Sequence, residues 1–221
     1  MSDGAPDDRV PIHVESLVVS RHARVALLGD PVRASEAWLV LHGYGMTARG
    51  ILHWFRAAAR ADRLLVAPEG LSRFYQERRG LRTVGASWMT RDDRDHEIAD
   101  QQGYLEAVAA RWLGGRRRLE VHGFSQGVAT ACRWVAGTPS PIDRLVLWAG
   151  TVPPELDLGR FRSLAARDPV RLVVGRDDRL VTPAQVAADA GRLREAGVAV
   201  ELREVEGGHG IDPATLADLA G

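Results

Sequence analysis

The chain has 221 residues, 45% of them hydrophobic and 26% charged, and its 29 basic residues balance 29 acidic ones to a formal net charge of zero. That length suits one domain, 1–221, able to bury a core without disulfide or metal staples, and the neutral balance argues against a nucleic-acid partner. The chain contains neither lysine nor asparagine, which excludes a Walker A phosphate loop, Schiff-base chemistry, a lysine-activated serine and N-glycosylation.

Met1–Pro11 carries several aspartates and no apolar core segment, unlike a signal peptide, and no later run is long enough to span a bilayer. The expectation is a cytoplasmic protein with no stable membrane insertion. Two strands are predicted next, Val14–Ser20 and Arg24–Leu28, separated by a polar Arg21-His22 turn as in an antiparallel hairpin. Apolar runs and amphipathic stretches then alternate as they do in an α/β sheet. The pattern predicts a strand at Ala37–Leu41, a helix at Thr47–Arg60, a strand at Leu64–Ala67 and a helix at Glu97–Leu113. The strand Leu119–Val121 is followed by a helix at Gln126–Ala136 and strands at Leu145–Trp148 and Val170–Val174. A helix at Pro183–Ala196, a strand at Val200–Val205 and a short helix from Pro213 complete the order.

Glu69–His96 reads as the longest irregular segment, and long ordered loops in compact domains are commonly functional, so it is expected to shape a substrate cleft. The stretch between Trp148 and Val170 is too short for a large helical lid, which implies an open, shallow site. Arg116, Arg117 and Arg118 precede an apolar strand and read as a solvated loop. The single cysteine, Cys132, falls in a helical stretch and reads as a buried bystander that can form no intramolecular disulfide.

Gly123-Phe124-Ser125-Gln126-Gly127 lies between a predicted strand and a predicted helix, the context of a Gly-x-Ser-x-Gly nucleophile elbow. A serine pushed out on so tight a turn needs glycines at both flanks, because side chains there would collide. Its hydroxyl becomes a nucleophile only when an imidazole takes the proton and a carboxylate holds that imidazole in the correct tautomer. In the α/β-hydrolase fold both partners follow the serine, acid first and histidine last, each after a strand. Of seven histidines, only His209 follows Ser125, in the glycine-rich turn Gly207-Gly208-His209-Gly210. Gly175-Arg176-Asp177-Asp178 offers two adjacent acids; the spacing to the helix-starting Pro183 favours Asp178, with Asp177 as a loop or capping residue. The oxyanion of the tetrahedral intermediate needs two N–H donors, expected from Gln126 and from Tyr44 in His42-Gly43-Tyr44-Gly45. His42 is expected to fix that loop by hydrogen bonding without transferring a proton.

With these motifs in this order, the chain resembles the phospholipase/carboxylesterase branch of the α/β-hydrolases, related to the acyl-protein thioesterases. The resemblance covers nearly the whole chain and implies an α/β-hydrolase fold, a mostly parallel central sheet with helices on both faces and no large lid domain. It also implies a serine hydrolase acting on small or acyl-chain esters, with lysophospholipids or thioesters as alternatives and without a metal or organic cofactor. Gly85-Ala86-Ser87-Trp88 resembles the tryptophan-bearing active-site loop of that branch, and Trp148-Ala149-Gly150 stands where members carry a substrate-lining turn. Tyr44, Met46, Trp88 and Trp148 are therefore expected to line the cleft, whereas Trp54, Trp112 and Trp134 are expected to pack. An acidic residue often follows the first glycine motif in the thioesterases; Met46 stands there instead, which departs from activity on acylated proteins.

Two other readings remain at this point. Gly43-Tyr44-Gly45-Met46-Thr47-Ala48 also spells a dinucleotide-binding fingerprint, with Glu69, about twenty residues on, in place to hold a ribose. A hydrolase-fold protein that binds a small ligand without catalysis would carry the same fold.

Overall fold

The computed structural model describes residues 12–78 and 80–221; the aspartate-bearing stretch 1–11 lies outside them. Seven strands form the central sheet: β1 (Val25–Leu28), β2 (Glu36–Leu41), β3 (Arg63–Pro68), β6 (Arg118–Phe124), β7 (Arg144–Trp148), β8 (Val170–Gly175) and β9 (Val200–Val205). Between β3 and β6 in the chain, β4 (Ser72–Arg78) and β5 (Leu81–Ser87) make a separate antiparallel hairpin. The helices are α1 (Ala48–Trp54), α2 (Arg94–Val108), α3 (Gln126–Gly137), α4 (Gly159–Ala165), α5 (Pro183–Glu195) and α6 (Pro213–Ala220).

The sheet order is β1-β3-β2-β6-β7-β8-β9. Only β1 runs against its neighbour; β3, β2, β6, β7, β8 and β9 pair in parallel. The wholly buried runs of β2 and β3 follow from this, because a parallel sheet with helices on both faces hides every side chain of a central strand. Leu39, Leu41, Val121, Leu145 and Leu172 pack with Leu105, Val128 and Val186 of α2, α3 and α5 on one face. Trp38, Val40, Leu65, Val146 and Trp148 pack with Ile51 of α1 and Leu216 of α6 on the other. Each such fully buried apolar side chain contributes about 1.5–3 kcal/mol.

Local chemistry sets the helix starts that frame the site. Thr47 accepts a hydrogen bond from Gly50 N–H at 3.1 Å to cap α1. Thr182 and Gln185 form a reciprocal capping box with Pro183 in the first turn of α5, and Asp212 caps α6 through Thr215 N–H.

Four expectations are corrected. The hairpin of Val14–Ser20 with Arg24–Leu28 does not form: residues 12–23 carry no strand, and β1 pairs with β3 instead. Val14, Leu17, Val18 and Val19 gain no strand partner among the described residues and stay 71–95% exposed. Glu69–His96 is not an irregular loop, since most of it is the β4–β5 hairpin, in register from Ser72↔Ser87 to Arg78↔Leu81. The stretch after β7 contains the unforeseen short helix α4. The helix expected over Thr47–Arg60 ends at Trp54 and yields to a 3₁₀ turn, Arg56–Ala58. Cys132 is buried, and burial pushes its thiol pKa up. Among the described residues, no helix is long and apolar enough to cross a membrane.

Candidate active site

β6 ends at Phe124, α3 begins at Gln126, and Ser125 makes the whole turn between them at φ 53° and ψ −118°. That backbone is rare for a residue with a side chain and costs about 1–3 kcal/mol, which the surroundings must hold in place. Ser125 N–H donates to Trp148 O of β7 at 2.9 Å, and Ser125 O accepts from Val128 N–H at 2.9 Å. The flanking glycines serve close approach. A Cβ at Gly127 would lie 2.3 Å from Leu41 O, and one at Gly123 would lie 2.7 Å from Gly127 O. The elbow lifts Oγ above the carboxyl ends of the parallel strands, where loops from β8 and β9 also arrive.

His209, on the loop after β9, reaches Ser125 Oγ with Nε2 at 3.0 Å and Asp178 Oδ2 with Nδ1 at 2.8 Å. Asp178, on the loop after β8, also accepts at Oδ1 from Leu180 N–H at 2.9 Å and Val181 N–H at 3.0 Å. Its side chain is 0% exposed and that of His209 19%. A carboxylate with these partners accepts a hydrogen bond from Nδ1–H, which leaves Nε2 bare to receive the hydroxyl hydrogen of Ser125. Asp177 points into solvent and contributes only its N–H, to Gly207 O. Of the two adjacent acids, Asp178 is the one that meets His209.

Gly43 brings the loop after β2 against the elbow: a Cβ there would stand 3.1 Å from Ser125 Cβ. His42 fixes this loop. Its Nδ1–H donates to Gly43 O at 2.8 Å, its Nε2 accepts from Gly70 N–H at 2.9 Å, and its ring stacks on Trp88 at 4.9 Å. Burial pushes its pKa below the ordinary 6.5, so the ring is neutral, as these two bonds require. Among the described residues, the N–H groups of Tyr44 and Gln126 have no acceptor. Gln126 is the first residue of α3, where backbone N–H groups lack intrahelical partners.

The expected cleft lining needs correction. Trp88 is 2% exposed and Trp148 0%. Trp88 donates its indole N–H to His42 O at 2.7 Å, and Trp148 donates to His122 Nδ1 at 3.3 Å. Both side chains are buried, and Trp88 borders the cavity described below. Tyr44 does stand in the open, 60% exposed, with Met46 half-buried beside it. Phe74 of the hairpin stacks on Tyr44 at 5.1 Å, and Phe124 packs against His209 at 5.1 Å. Trp54, expected to pack, is 42% exposed and touches Phe124 edge-on at 5.3 Å. Phe74 was hidden within a segment with no apolar periodicity, and Phe124 had a signal only in its place beside the nucleophile.

A separate cavity of about 560 Å³ lies between the 16–23 segment, the hairpin base and α2; Leu17, Val18, Leu71, His96 and Tyr104 line it, and none of Ser125, Asp178 or His209 does. Glu69 is buried and accepts at Oε2 from Ala48 N–H at 3.2 Å. Its carboxylate supports the start of α1 and is closed to a ribose. Among the described residues, no group of three or more His, Cys, Asp or Glu side chains could hold a metal ion.

The sequence profile of the Phospholipase/Carboxylesterase family matches residues 29–221. Among solved structures, the chain is similar to acyl-protein thioesterase 2 of Zea mays, with a TM-score of 0.71 and 17% identity over 90% of this chain and 96% of that one. It is also similar to the Bacillus cereus carboxylesterase, with a TM-score of 0.66 and 16% identity over 90% and 92% of the two chains. For a carboxylesterase from Mesorhizobium loti the TM-score is 0.67, at 20% identity over 90% and 92%. No curated protein matches the sequence. At these identities the structural likeness concerns the α/β-hydrolase fold; the profile match, which spans most of the length, shows that the chain belongs to the phospholipase/carboxylesterase family.

Proposed function

We propose that the protein, working as one hydrolase domain, is a serine carboxylic-ester hydrolase that acts through an acyl-enzyme. The observation that carries this reading is the unbroken relay from Ser125 Oγ to His209 Nε2 at 3.0 Å and from His209 Nδ1 to Asp178 at 2.8 Å. Ser125 Oγ attacks the ester carbonyl as its proton passes to His209 Nε2, and Asp178 stabilises the resulting imidazolium. The oxyanion is held by the N–H groups of Gln126 and Tyr44. His209 then gives its proton to the departing alkoxide, leaving an acyl-Ser125. Water attacks that acyl group by the same route, returning the proton to Ser125 and releasing the carboxylic acid. No step requires a redox cofactor.

Exposed Tyr44, stacked on Phe74 with Met46 beside it, supplies apolar surface for the acyl or aryl part of the ester. The buried tryptophans have no part in it. The same machinery serves any activated acyl group, so thioesters and lysophospholipids belong in the test set beside p-nitrophenyl esters of increasing chain length. The wild type should hydrolyse at least one series, and Ser125→Ala should lose on the order of 10⁴-fold or more in kcat. Equal rates for the two proteins would overturn the mechanism, and saturable ester binding without turnover would mark a non-catalytic ligand-binding protein.

A further inference from the structure

An oxyanion hole functions only if two N–H groups from distant parts of the chain converge on one point, about 2.7–3.1 Å from the developing charge. A displacement of about 1 Å costs on the order of 100-fold in rate. Gln126 N–H is fixed by the start of α3, but Tyr44 lies in the loop between β2 and α1, and something must hold that loop at the right distance from the elbow.

The β4–β5 hairpin touches both. On the Tyr44 side, Gly45 N–H donates to Ala86 O at 2.8 Å and Ala86 N–H donates to Met46 O at 3.0 Å. These are backbone contacts that almost any sequence would make. The third contact belongs to one side chain: Gln76 Nε2 donates to Gly45 O at 2.6 Å. Gly85, opposite Phe74 in the hairpin register, makes room for it. A Cβ at Gly85 would lie 2.6 Å from Gln76 Nε2 and 2.8 Å from Gly45 O, so any side chain there would drive the hairpin and the loop apart. On the elbow side, the residues at the exit of β5 grip the side chain of Gln126. Its Oε1 accepts from Trp88 N–H at 3.0 Å, and its Nε2 donates to Met89 O at 2.9 Å and Ser87 Oγ at 3.1 Å.

We infer that the β4–β5 hairpin is a brace that sets the spacing between the two oxyanion donors, and that Gln76 is the positioning residue by which it holds the Tyr44 loop. The inference rests on the hydrolase reading of Ser125 given above. Gln76 touches neither substrate nor the triad in this account; its effect passes through Gly45 to the neighbouring Tyr44 amide. The defect on its removal therefore belongs to the transition state and leaves ground-state binding alone.

The test compares wild type with Gln76→Ala, the near-isosteric Gln76→Glu, and Gly85→Ala. Each is assayed on the p-nitrophenyl ester that the wild type turns over best, well below its thermal midpoint. An aryl boronic acid, whose tetrahedral adduct places an oxygen in the oxyanion hole, serves as a second readout. Both Gln76 variants should lose about 10- to 100-fold in kcat, with KM within about twofold and boronate affinity weakened in parallel with kcat. Gly85→Ala should follow the same pattern, and the pH profile of kcat/KM should keep its midpoint. The inference is overturned if both Gln76 variants keep kcat within twofold, if the loss falls on KM, or if kcat falls while boronate affinity does not. A wild type that neither hydrolyses any ester nor reacts with a fluorophosphonate at Ser125 would instead overturn the hydrolase reading and the brace with it. An active wild type with indifferent variants overturns the brace alone.

Discussion

Asp178→Asn changes neither volume nor shape, yet the hydrogen bonds around this side chain leave an asparagine one way to sit. Leu180 N–H and Val181 N–H both point at Oδ1, at 2.9 and 3.0 Å, and two donors demand an acceptor. The amide oxygen must therefore take that place, which turns the NH₂ group toward His209 Nδ1. An N–H donated to Nδ1 forces the imidazole proton onto Nε2, 3.0 Å from Ser125 Oγ. There it can no longer receive the hydroxyl hydrogen. Loss of the correct tautomer is worth about 10⁴ in kcat, or about 5 kcal/mol of barrier. The backbone bonds to Oδ1 survive, so the thermal midpoint should move little. The assay is kcat for a p-nitrophenyl ester with wild type, Asp178→Asn and Asp177→Asn, alongside thermal denaturation. Asp177→Asn, exposed and bonded only through its backbone, should stay within twofold of wild type. An Asp178→Asn enzyme within tenfold of wild type, or an equal loss at Asp177, would rule out this role for Asp178.

Trp88→Phe removes the donor to His42 O at 2.7 Å and leaves a buried carbonyl unpaired beside a small void, at a cost of about 1–3 kcal/mol in urea denaturation. KM should be unchanged, and a raised KM at unchanged stability would return Trp88 to the substrate. Burial holds the pKa values of His42 and His122 below the ordinary 6.5. The unfolded chain thus takes up protons near that pH which the folded chain refuses, so their contribution to stability is complete above about pH 6.5 and declines as the pH falls through it. Denaturation midpoints measured from about pH 8 to about pH 5 should fall on the acid side; a midpoint that stays level or rises would contradict the neutral, buried state of these rings.

The positions of Ser125, Asp178 and His209 were legible because the fold places each at the carboxyl end of a parallel strand, and strand ends are marked by short Val- and Leu-rich runs followed by glycine. The β4–β5 hairpin escaped because Arg73, Glu77 and Arg82 interrupt its apolar residues and most of its outer face is exposed, so no alternation betrays it. The reverse happened at Val14–Ser20, where strand-forming residues find no ladder and no covering face among the described residues. β propensity reports a fit to a half-buried surface, and that surface is missing there. Trp88 and Trp148 share a limitation of composition. An indole suits a core or a cleft equally well, and what sends these two inward is a partner for each N–H, His42 O and His122 Nδ1, which come from distant parts of the chain. The braces of Gln76 and Gln126 were invisible for the same reason, since their partners lie 31 residues away for Gln76 and 37 to 39 residues away for Gln126.

Covalent trapping reports on the nucleophilicity of Ser125 itself. Intact-mass and peptide mass spectrometry after treatment with a fluorophosphonate should find one adduct per chain, on Ser125, in the wild type. The adduct should be absent in Ser125→Ala and formed far more slowly in Asp178→Asn. A folded wild type that stays unmodified, or that carries its adduct on another residue, would contradict the account.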